Sequence, residues 1–440
     1  MILIFVADHQ SPRLNYILDE ILHKRLSIKY ALTDNIDYFK HSQMSKINYS
    51  DTLMEDCLNI PAAILLYEEN IKKQTIQVKQ SDHYQYTFFD INLDASKFID
   101  APKQIIPFDI FAASFYLLSR YEEYILETFD IHNRFKAEHS LAYQNNFLQI
   151  PLVDYWANEL GKTINHYFNH IQFQNNTYKA IHTFDIDFAY KYKGLSTTQF
   201  YKKALGNLLR FDFAELKTQF SKDKPDAYDT YQLIYDSITQ YNFETIFFFL
   251  VAIKNSAYDK NLLPTSTIYE KLILTINSKY NIGLHPSYYG GLGANSITAE
   301  KQILEDITHK PIEQNRFHFL KFRLPKSYTY LLNAGLHNDY SMAYSTHIGF
   351  RASTCKPFHF FNLTENTATS LQVFSPCIMD VTLKNYLQLN PAQAQEKIND
   401  LQEQVKSVNG IFMSIWHNSN LIDTEGWAGW KSVWLKMVSA

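Results

Sequence analysis

The chain has 440 residues, 46% hydrophobic and 20% charged, which is too long for one ordinary core, so two domains are expected. Its 41 basic and 45 acidic residues give a formal net charge of −4 with no long basic run, which argues against a nucleic-acid partner. Cys57, Cys355 and Cys377 are odd in number and far apart, so neither a disulfide framework nor a cysteine-based zinc site is implied.

Taken in order, residues 1–175 read as a first unit. The opening Met-Ile-Leu-Ile-Phe-Val-Ala-Asp run lacks a basic start and is too short for the apolar segment of a signal peptide. It reads instead as a buried strand over Ile2–Val6. A helical pattern follows at Arg13–Leu22, then alternating apolar segments at Ala62–Tyr67, Thr75–Val78 and Tyr86–Asp90. Pro107–Glu123 reads as a strongly apolar helix ending in charge, Asp130–Phe147 as irregular, and Pro151–Tyr167 as a helix with apolar Val153, Trp156 and Leu160. The polar stretch Gln172–Thr177 suits a linker.

The second domain is placed at 176–440. Short apolar strands are expected at Lys179–Phe184, Thr245–Val251, Ile282–His285, Phe317–Phe322, Tyr340–Tyr344, Gln372–Met379 and Ile411–Trp416. Helical patterns fall between them at Leu262–Ser278, Ala299–Glu313 and Pro391–Val408. Strand–helix alternation predicts a mostly parallel sheet, open or closed into a barrel, with a site at the C-terminal strand ends. The Ile246–Val251 run is strand length and no window approaches a membrane span. A cytoplasmic protein without a membrane span is expected.

The informative polar residues fall at those strand ends. The first strand runs out through His182-Thr183-Phe184-Asp185-Ile186-Asp187. Side chains two apart share a face, so Thr183, Asp185 and Asp187 point one way. Two carboxylates there repel unless a cation or a proton intervenes, and one can ligate a metal while its neighbour acts as base. The alternative is a pair of capping or loop aspartates. Further strand mouths carry His285, held before Pro286, and Arg323 before Pro325; the last carries His417, with Asp380 at the end of the preceding strand. These suit, in turn, a metal ligand, a clamp for a carboxylate, a general acid, and a group that sets its tautomer. Each also has a plainer reading as a structural histidine or a surface ion pair.

In order along the chain, Thr-Phe-Asp-x-Asp, His-x-Ser, Arg-x-Pro and Ile-x-His resemble the polysaccharide deacetylases, carbohydrate esterase family 4. The resemblance runs from about Tyr178 to the C-terminus. The preceding half is similar to an uncharacterised N-terminal domain found before such deacetylase domains. The resemblance implies a distorted (β/α) barrel preceded by a smaller α+β or α/β domain. It also implies a divalent metal, usually zinc, and removal of N- or O-acetyl groups from an acetylated carbohydrate. By motif, Asp185 matches the base, Asp187 and His285 metal ligands, Arg323 the arginine that holds the base, and His417 the acid. Ser287, Tyr289, Asp339 and Arg351 are expected on the substrate side.

Two departures stand out. The family places a second histidine ligand four residues after the first, where this chain has Tyr289, a poor ligand at neutral pH. His318 is near in sequence, but in an extended strand it would lie roughly 16 Å from Arg323 at ~3.3 Å per residue, at the wrong end of the sheet, and it is left out of the ligand set. The long segment Lys191–Asp229 reads as a helical insertion. The Tyr289 substitution keeps open a non-catalytic glycan-binding or scaffolding protein on a decayed deacetylase fold. A metal-free glycoside hydrolase using Asp185 is a third reading, disfavoured because carboxylates two apart on one strand do not flank a glycosidic bond in the usual way.

Overall fold

The computed structural model describes the chain except residues 7–9, 91–104, 170, 174–176, 222–224 and 425. The Gln172–Thr177 linker therefore lies partly outside the described residues. Two compact units form. The first comprises Met1–Tyr178, Gly349–Ser375 and Glu403–Ile411; the second comprises Lys179–Ile348, Pro376–Gln402 and Phe412–Ala440.

In the first unit, β1 (Ile2–Val6), β2 (Tyr30–Thr33), β3 (Ser45–Ser50) and β4 (Leu58–Pro61) make a parallel sheet in the order β2-β1-β3-β4. All five residues of β1 are buried, as an unbroken apolar run requires when both sheet faces are covered. Helix α1 (Pro12–Leu18) starts cleanly because Pro12 sits in its first turn and the Ser11 hydroxyl accepts from the Leu14 N–H. Helix α2 (Ile110–Leu118) is buried all round, its first turn held by the Asp109 carboxylate, and α3 (Leu152–Tyr167) follows. Ala62–Tyr67 is not a strand but ends in a single turn, and Tyr86 falls in a short hairpin, Lys79–Ser81 with Gln85–Thr87.

The second unit is built on β5 (Lys179–Ile186), β6 (Glu244–Phe249), β7 (Asn281–Leu284), β8 (Gln314–Asn315), β9 (Asn338–Asp339), β10 (Ile378–Met379) and β11 (Ile411–His417). Their order is β9-β8-β7-β6-β5-β11-β10. Helices α4 (Thr197–Leu209), α5 (Phe213–Phe220), α6 (Tyr231–Tyr241), α7 (Thr267–Asn277), α8 (Ala294–Thr308), α9 (Lys326–Asn333) and α10 (Trp430–Val438) fall between or after the strands. The unit is mixed α/β with parallel pairing, but the expected barrel is not closed among the described residues. Strands β8, β9 and β10 are two residues long, and closure demands continuous ladders with a fixed stagger.

Three expected strands are corrected. Phe317–Phe322 is no strand: β8 ends at Asn315 and the chain turns at His318–Leu320, with Phe319 and Leu320 at φ 61° and 50°. Tyr340–Tyr344 lies just beyond β9. The single strand expected at Gln372–Met379 is two, Thr367–Val373, which pairs antiparallel with Phe358–Asn362 in the first unit, and Ile378–Met379, with residues 374–377 outside any strand.

One register position shapes the site. Asp185 on β5 stands opposite Phe248 on β6, which stands opposite Gly283 on β7. A Cβ at Gly283 would meet the Phe248 ring at 2.5 Å and the Gln314 side chain at 2.9 Å. Glycine leaves the room that the ring needs.

Candidate active site

Alternation along β5 sets Thr183, Asp185 and Asp187 on one side. Thr183 and Asp185 are buried, and Asp187 is half-buried just past the strand end. The Thr183 hydroxyl donates to the Ser414 carbonyl at 2.7 Å, tying β5 to β11. His182, on the opposite side, meets the Ser414 hydroxyl at 2.8 Å instead. Burial holds its imidazole down at about 3, which suits a neutral core histidine.

The guanidinium on Asp185 belongs to Arg316. Its Nη1 reaches the two carboxylate oxygens at 3.3 and 3.5 Å, and its Nη2 donates to the Thr183 hydroxyl at 2.9 Å. Arg316 is fully buried and lies 4.8 Å over the Phe248 ring, a cation–π contact that fixes its plane. Arg323, expected in this place, is exposed, and its backbone N–H donates to the Ser327 hydroxyl at 3.0 Å. The turn after β8 sends the chain away from the sheet before residue 323, so the arginine that follows the strand directly is the one at Asp185.

The same turn brings His318 back. Asp187, His285 and His318 each offer a ligand atom, all within 4.8 Å of one another. His285 Nε2 lies 3.2 Å from Asp187 Oδ1, and His318 Nε2 lies 3.4 Å from Oδ2. His318, left out of the ligand set above, thus stands beside Asp187. Both imidazoles are oriented from behind: His285 Nδ1 donates to the Arg316 carbonyl, and His318 Nδ1 donates to Asp259 Oδ1 at 3.0 Å. That leaves Nε2 of each ring facing the carboxylate, the outer arrangement that metal-binding histidines use. Asp187 Oδ1 is buried without a hydrogen-bond partner. One carboxylate and two Nε2 donors suit zinc and similar divalent ions and leave coordination positions open. The donor set is thus compatible with a metal.

Charge follows the geometry. Burial works against ionised Asp187, yet the charge of His318, with the His285 and His417 rings beside it, holds its carboxyl well below the usual range. Burial likewise opposes a charged His318, but Asp187 and Asp259 outweigh it and raise the imidazole to about 9.

His417 closes the far side. Its Nδ1 donates to Asp380 Oδ1 at 2.8 Å, its backbone N–H donates to Oδ2 at 2.9 Å, and its Nε2 lies 3.5 Å from Asp187 Oδ2. Asn420 donates to the same Asp380 oxygen at 2.9 Å. Burial disfavours the imidazolium, but Asp380 and Asp187 raise the His417 pKa well above its ordinary value.

The four residues expected on the substrate side scatter. Ser287 donates its backbone N–H and hydroxyl to buried Glu300. Asp339 is fully buried, with Asn315, Tyr328 and Ser341 on its two oxygens. Arg351 is a core residue of the first unit, bidentate to Glu123 at 2.9 and 2.6 Å. Tyr289 alone is open to solvent, 57% exposed. Arg316 and Asp259 do not figure in the sequence reading, and His318 is weighed there but set aside. The Arg-x-His spacing at 316–318 was the available signal, masked by the strand assigned across it.

Residues 2–169 match the model of a family described as a family of unknown function (DUF7033). No curated protein matches the chain. Among solved structures, 60% of this chain aligns with 84% of a Mycobacterium smegmatis protein designated a polysaccharide deacetylase, at 11% identity and TM-score 0.38. The same share aligns with 64% of a mutant CE4 family pseudoenzyme with restored enzymatic activity, at 8% identity and TM-score 0.30. It also aligns with 37% of a 4-alpha-glucanotransferase from Thermococcus litoralis, at 11% identity and TM-score 0.35.

Proposed function

We propose that the second unit is a metal-dependent carbohydrate deacetylase that hydrolyses an N- or O-acetyl group on a sugar or polysaccharide. The observation that carries this reading is the convergence of Asp187, His285 and His318 within 4.8 Å, flanked by the Asp185–Arg316 and His417–Asp380 pairs. Asp187, His285 and His318 would hold the ion, zinc by donor type. When bound, such an ion supplies Lewis-acid polarisation of a carbonyl and a water of lowered pKa.

The chain's own residues do the rest. Asp185 accepts the proton of the attacking water, and Arg316 keeps that carboxylate aimed and compensated. His417 gives a proton from Nε2 to the departing amine or alkoxide, while Asp380 holds Nδ1 and so fixes the ring. The non-catalytic reading rested on Tyr289 replacing a histidine. His318 places a second imidazole at Asp187 and removes that motive.

The test is acetate release by the purified chain with added zinc or cobalt. Chitooligosaccharides, peptidoglycan fragments and acetylated xylan are the substrates to offer. Asp185→Asn should lower the rate by ~10²-fold or more, the usual weight of a general base. No acetate from any of the three, or an unchanged Asp185→Asn rate, refutes the proposal.

A further inference from the structure

The segment after Asp187 contains a helical hairpin, α4 and α5, most of whose large apolar side chains are exposed. Its base is fastened by polar contacts: the backbone N–H groups of Lys191, Tyr192 and Lys193 donate to Asp226 at 2.7, 2.7 and 2.9 Å. Lys191 Nζ pairs with Glu215 at 2.6 Å. Between the two helices, Asn207 donates to Gln219 at 3.0 Å, and Gln219, itself buried, donates to the Phe200 carbonyl at 2.8 Å. These polar contacts and the Phe200–Phe220 ring contact at 5.2 Å hold the two helices together, while most of the other large apolar groups are exposed.

Tyr201, Leu205, Leu208 and Leu209 fall at the spacing of one helical stripe, and all four are exposed. At the tip, where the chain turns through Phe211 at φ 58°, Leu209, Phe211 and Phe213 are 71, 78 and 61% exposed. A contiguous exposed apolar patch of this kind marks an interaction surface. Its charge says which one. Residues 197–220 hold four basic residues (Lys202, Lys203, Arg210, Lys217) and two acidic ones (Asp212, Glu215), net +2 in a chain that is −4 overall. Lys202, Arg210 and Lys217 are exposed among the apolar residues. Apolar side chains interspersed with Lys and Arg suit the interface of an anionic bilayer, where rings and leucines enter the acyl boundary and the cations meet headgroups. No helix among the described residues is long and apolar enough to cross a membrane, so the mode is lying on the surface.

We infer that the α4–α5 hairpin docks the protein on an anionic lipid surface. This is independent of the chemistry proposed for the site. The test is co-sedimentation of the full chain with phosphatidylcholine–phosphatidylglycerol vesicles, against pure phosphatidylcholine vesicles. The chain pellets with the anionic vesicles. A triple variant, Leu209→Ser with Phe211→Ser and Phe213→Ser, lowers the partition coefficient by at least ~10-fold. Neutralisation at Lys202, Arg210 and Lys217 (each to Gln) lowers it by roughly fivefold per residue at low salt. A Phe211→Cys variant carrying an environment-sensitive dye gives a readout that does not depend on the triple variant folding, and its emission shifts to the blue with anionic vesicles only. The inference is overturned by no binding to anionic vesicles, by equal binding of the variants, or by an unshifted dye. It is overturned equally if the free chain sediments as a dimer that the triple variant dissolves, since the face would then be covered by a second copy.

Discussion

Replacing Arg316 by Met isolates the contact on which the proposed base depends. Met keeps most of the aliphatic stem and removes the guanidinium, and with it the cation–π contact on Phe248. Asp185 is 4% exposed, so its carboxylate loses both Nη1 contacts without gaining water, and the Thr183 hydroxyl loses a donor. Breaking a buried pair by removing one partner costs ~3–5 kcal/mol, a fall in the folding constant between roughly 10² and 10⁴ at ~1.4 kcal/mol per tenfold. Arg323→Ala removes an exposed side chain and should stay within about 0.5 kcal/mol. The assay is urea unfolding in chelator, followed by tryptophan fluorescence; Trp416, Trp427, Trp430 and Trp434 all lie in the second unit, so the signal reports mainly on it. Adding Asp185→Asn to Arg316→Met removes the stranded charge and should recover at least ~1 kcal/mol. The reasoning fails if Arg316→Met is as mild as Arg323→Ala, or if the second substitution recovers nothing.

Other outcomes follow from the same geometry. Zinc at a hundred times its dissociation constant should stabilise the chain by ~2.7 kcal/mol in thermal unfolding; Tyr289→Ala should retain this and His318→Ala should lose it. In the first unit, burial pushes Glu20 up, but His359, Arg25 and Lys24 outweigh that and hold it at about 2. Its folded pKa is thus depressed, so the stability it confers is present above the unfolded value of ~4.3 and is lost as pH falls from there toward 2. Glu20→Gln should flatten the acid limb of that unit's unfolding profile over this window. Gly283→Ala should cost ~1–3 kcal/mol by overpacking against Phe248, and in the proposed enzyme it should lower kcat by displacing the ring beneath Arg316; an unchanged melting temperature would contradict the close approach.

Much of the site's frame was legible because strand mouths announce themselves. Apolar runs ending at Asp185, His285 and His417 were readable from period and composition, and the observed β5, β7 and β11 place these residues at or just past their ends. Asp380 was readable as a candidate partner of His417 from its place at the end of the preceding apolar run, and the pairing of β10 with β11 sets the two side by side. Arg316 and His318 were not readable. Phe-His-Phe-Leu-Lys-Phe looks like a strand by residue type, yet β8 stops at Asn315 and the chain turns through two apolar residues at positive φ, a conformation that side-chain propensity disfavours and only tertiary packing imposes.

The amino-acid order by itself determined the alternation that puts Thr183, Asp185 and Asp187 on one side, the apolar strands beneath them, and the net negative charge. Local periodicity suffices for the first two, since they depend on neighbours one to four residues away, and the charge is a sum over the chain. The ligand set, the identity of the arginine at Asp185, the return of residues 349–375 to the first unit and the outward apolar face of the 197–220 hairpin were decided by tertiary structure. Each depends on a pairing or a burial between residues tens to hundreds of positions apart, and no local pattern encodes those distances.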